Sequence, residues 1–268
     1  MITTNFHTHT VFCDAIDTPE EMILTAIEKG FTSLGFSSHS YFEPEAELSM
    51  PEEKYDQYIN EILTLKEKYK DKIKIFCGIE QDIYSNKTNH KFEYMIGSVH
   101  NLYKDGNYID VDLSAERTKE NIDTYYNGDF DSFAEHYFET VSKVLEVTNA
   151  DIIGHIDLVS KFNEKLGFTE TERYLKAAEK AVKKLVGYGK PFEINTGAMS
   201  RGAKSIPYPS PAILKMIKEN GGKIAFSSDC HNRLYLDYAF DKAEELARNA
   251  GFTEHGIITE NGMEYIPL

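Results

Sequence analysis

The sequence predicts an α/β fold in which a parallel, barrel-type sheet is wrapped by helices. Short apolar runs alternate with longer amphipathic segments, the pattern of βα units around a parallel sheet, and seven such units can be drawn along the 268 residues. No Pro-, Gly- and Ser-rich stretch, low-complexity run or solenoid-period repeat divides the chain, so 1–268 reads as one domain of a length that α/β barrels reach. Each apolar run also ends in His, Asp or Glu, which suits a fold that gathers its strand C-termini on one face.

Strands are expected at 3–7, 33–37, 74–81, 94–100, 151–155, 191–196 and 223–229. The clearest helix opens with Thr18 as N-cap, Pro19 at the first helical position and Glu21 three residues after the cap, and it closes at Gly30. Further helical patterns cover about 52–70, 131–148, 172–187, 211–220 and 236–250, several ending in Gly. The Glu- and Lys-rich stretch 61–74 reads as a solvated helix face with i,i+4 pairs.

With 41% hydrophobic and 27% charged residues the chain has the balance of an ordinary soluble protein. A formal charge of −15 argues against a nucleic-acid partner, which demands a basic surface, and favours a small substrate. No basic-then-apolar leader opens the sequence and no apolar run reaches transmembrane length, so a cytoplasmic location without membrane attachment is expected. Cys13, Cys77 and Cys230 are too few and too scattered for a disulfide framework or a thiolate zinc site, and they read as reduced thiols. The sequence says nothing of oligomeric state.

The chemistry lies at the strand ends. In chain order these carry His7 and His9, His39, Glu80 and Asp82, His100, His155 and Asp157, Glu193 and Asn195, then Asp229 and His231. A single His in such a place is more often a hydrogen-bonded core residue than a ligand, but six of the nine His fall here. The other three, His90, His136 and His255, lie in loop or helical patterns and are expected at the surface. On an extended strand His7 and His9 project from one face and can grip one ion. An HxH pair alone arises by chance roughly 0.3 times in such a chain, so its context carries the weight. A carboxylate such as Glu80 can bridge two ions, and imidazoles with carboxylates and no thiolate suit zinc, iron or manganese at a catalytic site. Clustered ions meet the demands of phosphate ester cleavage. There is no P-loop, no GxGxxG after a strand and no GxSxG elbow.

The ordered set HTH, SSHS, GIEQD, GSVH, GHID and SDCH resembles the polymerase and histidinol phosphatase (PHP) superfamily over nearly the whole chain. Within it, Gly97-Ser98-Val99-His100, Gly154-His155-Ile156-Asp157-Leu158 and Glu193-Ile194-Asn195-Thr196 look most like the histidinol-phosphate phosphatases of histidine biosynthesis. The resemblance implies a distorted (βα)7 TIM-like barrel holding three divalent ions per chain: zinc, manganese or iron. It implies that His7, His9, Glu80 and Asp229 hold one ion, Glu80, His100 and His155 a second, and His39 and His231 the third. Asp14 is the nearest candidate to complete that third site, with Asp17 as competitor or, instead, a residue serving the helix N-terminus. The implied reaction is hydrolysis of L-histidinol phosphate to L-histidinol and phosphate by a metal-bridging hydroxide attacking phosphorus, with Glu80, Asp229 and His231 as the catalytic residues and no phosphoenzyme.

Substrate contacts are expected from Arg201, on the loop after the sixth strand, either pairing with the phosphate or held in a surface salt bridge. Lys161 after the fifth strand, and Arg117 and Asn101 in the long connection after the fourth, are further candidates. The ammonium and imidazole of such a substrate would want a carboxylate and a flat aromatic neighbour. Glu43, Glu116 and nearby Tyr residues are open choices. The rival readings are a PHP phosphoesterase for another small phosphate, a phosphotyrosine or a nucleic-acid end, and a PHP-like accessory domain that binds metal without turnover. A related hydrolase of C–N bonds would show a Lys at a strand end, and none is found.

Overall fold

The computed structural model describes residues 2–268. Its elements are β1 (Thr4–Asn5), α1 (Pro19–Glu28), β2 (Ser33–Phe36), α2 (Tyr55–Tyr69), β3 (Lys74–Asp82), β4 (Tyr94–Ser98), β5 (Asn101–Lys104), β6 (Asn107–Asp110), α3 (Ala115–Tyr126), α4 (Phe130–Val141) and α5 (Val144–Thr148). There follow β7 (Ile152–Ile153), α6 (Asn163–Leu166), α7 (Glu172–Val186), β8 (Pro191–Asn195), α8 (Gly197–Ser200), α9 (Pro211–Glu219), β9 (Lys223–Ser227), α10 (Phe240–Asn249), β10 (Glu254–Thr259) and β11 (Gly262–Pro267).

The seven expected strands pair in parallel in the order β1-β2-β3-β4-β7-β8-β9. Beyond the ends of β1 and β9 a parallel bridge between Thr8 and Cys230, with the His9 N–H donating to the Cys230 carbonyl at 3.0 Å, draws the two edges of the curled sheet together. This is the distorted barrel that the resemblance implied. Strands such as β2 and β8 are buried along their whole length, as parallel strands covered by helices must be.

The helices follow their sequence signals. Thr18 and Glu21 form the reciprocal capping box of α1, and Ser210 caps α9 with Pro211 in its first turn. In α7 Tyr174, Ala178, Ala181, Val182 and Leu185 recur at helical spacing and are buried. The segment 131–148 is not one helix. It breaks at Ser142 and Lys143, whose N–H groups turn back to Phe138 and Thr140 in a tightened turn, and α5 sets off again toward β7.

Two strand pairs lie outside the seven units. The hairpin β5–β6 turns on Asp105 and Gly106, both with positive φ, and β11 pairs antiparallel with β10, which itself joins β9 in parallel. The second pair overturns the expectation of an exposed His255. As part of β10 it is buried and its ring packs against Phe226. His90 and His136 are half-buried, hydrogen-bonded to Thr88 and Tyr126.

The end of the barrel opposite the strand C-termini is filled by Phe6, Phe76, Tyr94, Ile96, Ile152 and Ile258. The Tyr94 hydroxyl donates to the carbonyls of Phe6 at 2.6 Å and Phe36 at 3.0 Å, which fixes the ring across the sheet interior. Gly78 has to be glycine for this: a Cβ there would stand 2.4 Å from the Tyr94 ring. Gly78→Ala is expected to destabilise the fold by about 1–3 kcal/mol through overpacking. A lower urea midpoint would show it, and an unchanged midpoint would mean that the ring can move aside.

Candidate metal centre

The strand ends converge. Thr8 points its hydroxyl outward to the Gly35 carbonyl at 2.8 Å, so the alternation of an extended backbone turns His7 and His9 inward, with ring centres 5.0 Å apart. Glu80 enters from β3, bridged through its backbone to His39. His100 and His155 follow β4 and β7, and Asp229 and His231 follow β9. Asp229 takes a left-handed backbone with φ +47°, a conformation Asp tolerates better than most residues and one that marks functional turns.

Glu80 is the hub. Its Oε1 lies 3.0 Å from His155 Nε2 and 3.4 Å from His100 Nε2. Its Oε2 lies 2.8 Å from His39 Nδ1, 3.2 Å from His7 Nε2 and 3.6 Å from His9 Nε2. Asp229 Oδ1 is 3.2 Å from His9 Nε2 and 3.7 Å from His7 Nε2. On the outer side Asp14 Oδ1 is 3.2 Å from His231 Nε2 and 3.8 Å from His39 Nε2. Three sets of donor atoms lie close enough to share a cation: His7, His9 and Asp229; His39, Glu80 and His100; and His9, Asp14, His39 and His231.

A surrounding layer orients these ligands. The Nδ1–H of His7 donates to Glu193 Oε1 at 2.7 Å, which leaves its Nε2 lone pair facing Glu80. Asp82 does the same for His100, accepting from its Nδ1 at 3.1 Å and its backbone N–H at 2.8 Å. Arg201 donates to the Asp229 carbonyl at 2.9 Å, to Asp229 Oδ2 at 3.2 Å and to His231 Nδ1 at 3.2 Å. Gly197 permits this approach, because a Cβ there would meet both Arg201 and Asp229 at 2.9 Å.

The donor set fits divalent ions on a direct observation. His7 Nε2, His9 Nε2 and Glu80 Oε2 are buried, crowd within 3.6 Å of Glu80, and make no hydrogen bond despite that proximity. Buried imidazole nitrogens crowded against a carboxylate without a hydrogen bond call for a cation. The electrostatics agree. Burial drives the His7 imidazole toward neutrality, yet Glu193, Glu80 and Asp229 hold it well above its ordinary value. Burial pushes Glu80 up, but His7, His39 and His100 hold it well below the usual carboxylate range. Burial likewise opposes ionisation of Asp229, and Arg201 and His7 overcome it.

The nine expected ligands all come together, and Asp14 rather than Asp17 joins His39 and His231, since Asp17 is taken by an ion pair with Arg233. His39 departs from its expected place: it faces both Glu80 and Asp14 instead of the outer site alone. Of the substrate candidates, Arg201 and Lys161 line a cleft of about 310 Å³ over the cluster. Arg117 does not. It is half-exposed in a surface pairing with Asp110 and Glu120, because α3 turns it away from the cleft. Asn101 does not line the cleft either; it is buried behind Glu45 and donates to it at 2.8 Å. The aromatic and acidic choices narrow too, since neither Glu43 nor Glu116 lines the cleft and Glu116 pairs with Lys165. Sequence reading missed Glu45 and Asp112, which do line it. Asp112 follows the β5–β6 hairpin, outside the seven units, and Glu45 ends a single 3-10 turn (Glu43–Glu45) too short to give a periodic signal.

A barrel that gathers His, Asp and Glu into sets able to share cations, beneath a cleft lined by an Arg, is the arrangement of a metal-dependent phosphoesterase. The PHP domain family matches residues 5–197, and the chain belongs to that family. Among curated relatives, the Schizosaccharomyces pombe protein named "Probable histidinol-phosphatase" is 29% identical over 87% of this chain and 81% of its own length. A Bacillus subtilis histidinol-phosphatase is 25% identical over 88% and 96% respectively. A crystal structure of the Lactococcus lactis histidinol phosphate phosphatase, complexed with zinc, L-histidinol and phosphate, aligns with a TM-score of 0.74 at 20% identity over 98% of both chains. A Listeria monocytogenes structure reaches a TM-score of 0.80 at 22% identity over 89% of this chain and 99% of that one. At these identities the two solved structures speak for the fold.

Proposed function

We propose that the protein hydrolyses L-histidinol phosphate to L-histidinol and phosphate, the reaction its curated relatives are named for. The observation that carries this reading is Glu80, whose two oxygens face different groups of imidazoles at the floor of a cleft lined by Arg201. His7, His9, Glu80 and Asp229 would hold one ion, Glu80, His100 and His155 a second, and Asp14, His39 and His231 a third, drawn from zinc, manganese or iron. Bound there, such ions supply Lewis-acid polarisation of a phosphoryl oxygen and activation of water.

The chain's own groups do the rest. Arg201 spends three N–H groups on Asp229 and His231, and a guanidinium has five, so two remain for phosphoryl oxygens. Asp229 keeps that guanidinium aimed at the cleft while itself facing His9. Leu113 and Leu158 give the cleft an apolar flank. A cleft of about 310 Å³ suits a small phosphomonoester. The three unpaired cysteines suit a reducing cytoplasm, where amino-acid biosynthesis runs.

Steady-state kinetics on metal-loaded protein, with L-histidinol phosphate beside a panel of phosphomonoesters, tests the assignment. A preference below tenfold would remove the substrate. Arg201→Ala is expected to lower kcat/KM about tenfold or more, the worth of a charged hydrogen bond. Arg117→Ala should leave it within about twofold, as for an exposed ion pair. Equal losses in the two variants would displace the phosphate from Arg201.

A further inference from the structure

The cleft is lined by six carboxylates: Asp14, Glu45, Glu80, Asp82, Asp112 and Asp229. Five have a basic partner within 4 Å. Asp14 has His231, Glu80 its imidazoles, Asp82 has His100, Asp112 has Lys161 at 2.8 Å, and Asp229 has His9 and Arg201. Among the described residues Glu45 has none. One of its oxygens accepts from the buried Asn101 amide at 2.8 Å, a neutral donor that fixes the carboxylate without neutralising it. Glu45 is half-buried, and burial raises its pKa, a further sign that its charge is under-compensated. A carboxylate held rigidly in a ligand cleft with no cation of its own is complementary to a cation carried by the ligand.

Its placement is equally informative. Glu45 is held by Asn101, the residue after His100, and has His100 as an electrostatic neighbour, while Arg201 is anchored on Asp229 and His231. One cleft therefore carries both a group suited to an anion and a group suited to a cation, each on its own anchor, and a zwitterionic substrate with phosphate and ammonium a few bonds apart matches both.

We propose that Glu45, positioned by Asn101, is the specificity-determining residue that takes the ammonium of an aminoalkyl phosphate. This rests on the histidinol phosphate reading and assigns its amine. Lys161 and Asp112 neutralise each other and leave that task to Glu45.

The test compares kcat/KM for L-histidinol phosphate with that for its desamino analogue, 3-(imidazol-4-yl)propyl phosphate, in the wild type, Glu45→Gln and Glu45→Asp. The wild type should prefer the amine. In Glu45→Gln the amine-to-desamino ratio should fall about tenfold or more, since a charge-assisted contact becomes a neutral one, whereas Glu45→Asp should keep most of it. A ratio unchanged within threefold in Glu45→Gln overturns the assignment while leaving the phosphatase reading intact. Calorimetric binding of L-histidinol, the amine without the phosphate, separates the two failures. If the wild type hydrolyses neither ester but L-histidinol still binds about tenfold more weakly to Glu45→Gln, the ammonium site stands and the activity falls; if L-histidinol binds wild type and variant alike, the ammonium site falls.

Discussion

Replacing Glu80 with Ala should all but abolish turnover, lowering kcat/KM by on the order of 10³ or more, while the far-UV circular dichroism stays that of the folded protein. The size follows from what the residue joins. Glu80 Oε1 faces His100 and His155, and Oε2 faces His7, His9 and His39, so one side chain supplies the anion common to both groups. Without it the imidazoles keep their places but lose the charge that would hold two cations side by side. Metal assistance contributes several kcal/mol to phosphoryl transfer, and each 1.36 kcal/mol is a factor of ten. The fold should survive because the imidazoles around Glu80 can turn neutral once its charge is gone, and its backbone stays paired in β3 with β4. Elemental analysis after gel filtration should find less metal per chain, and excess metal in the assay should not restore activity. A variant that retains metal and turnover would remove the bridging role.

Much of this centre was legible in the sequence for one physical reason: a parallel barrel converts sequence position into spatial position. Once 3–7, 74–81 and 223–229 read as strands of one sheet, the polar residues at their C-terminal ends had to share a face, and His7, Glu80 and Asp229 meet there. Residues on connections obey no such rule. Arg117 and Arg201 are both Arg on connections after strands, yet α3 carries one to the surface and the turn at Gly197 folds the other over Asp229. Asn101 lies next to His100 in sequence, but alternation along β5 turns its side chain behind Glu45 rather than into the cleft. The β5–β6 hairpin does carry a signal, Asp105-Gly106, a strong marker of a two-residue turn, but its strands are only four residues each and too short for a clear alternation. Glu45 had none, since only the fold shows that every other carboxylate in the cleft has a basic partner.

Glu193→Gln should weaken metal binding about 10- to 100-fold, the range for losing a group that orients a ligating His, although it changes no group that faces a metal. Glu193 Oε1 accepts from His7 Nδ1 and the Ser227 hydroxyl, and Oε2 accepts from the His155 backbone N–H and the Asn195 amide. A glutamine there must turn its NH2 toward one pair. A backbone N–H cannot become an acceptor, so the amide oxygen has to stay with His155 and the NH2 has to face His7 and Ser227. A hydroxyl can accept, and an imidazole can accept only by moving its proton to the other nitrogen. His7 would then carry hydrogen on Nε2, the atom that faces Glu80 and that the metal needs. The loss is thus one of tautomer rather than of ligand, and raising the metal concentration should restore turnover in Glu193→Gln as it should not in Glu80→Ala. Nitrogen NMR of the metal-free protein, recorded at a pH high enough to leave His7 neutral because its carboxylate neighbours raise its pKa, should place the His7 proton on Nδ1 in the wild type and on Nε2 in the variant. An unmoved proton together with unchanged metal affinity would show that Glu193 supports the strand and not the ligand.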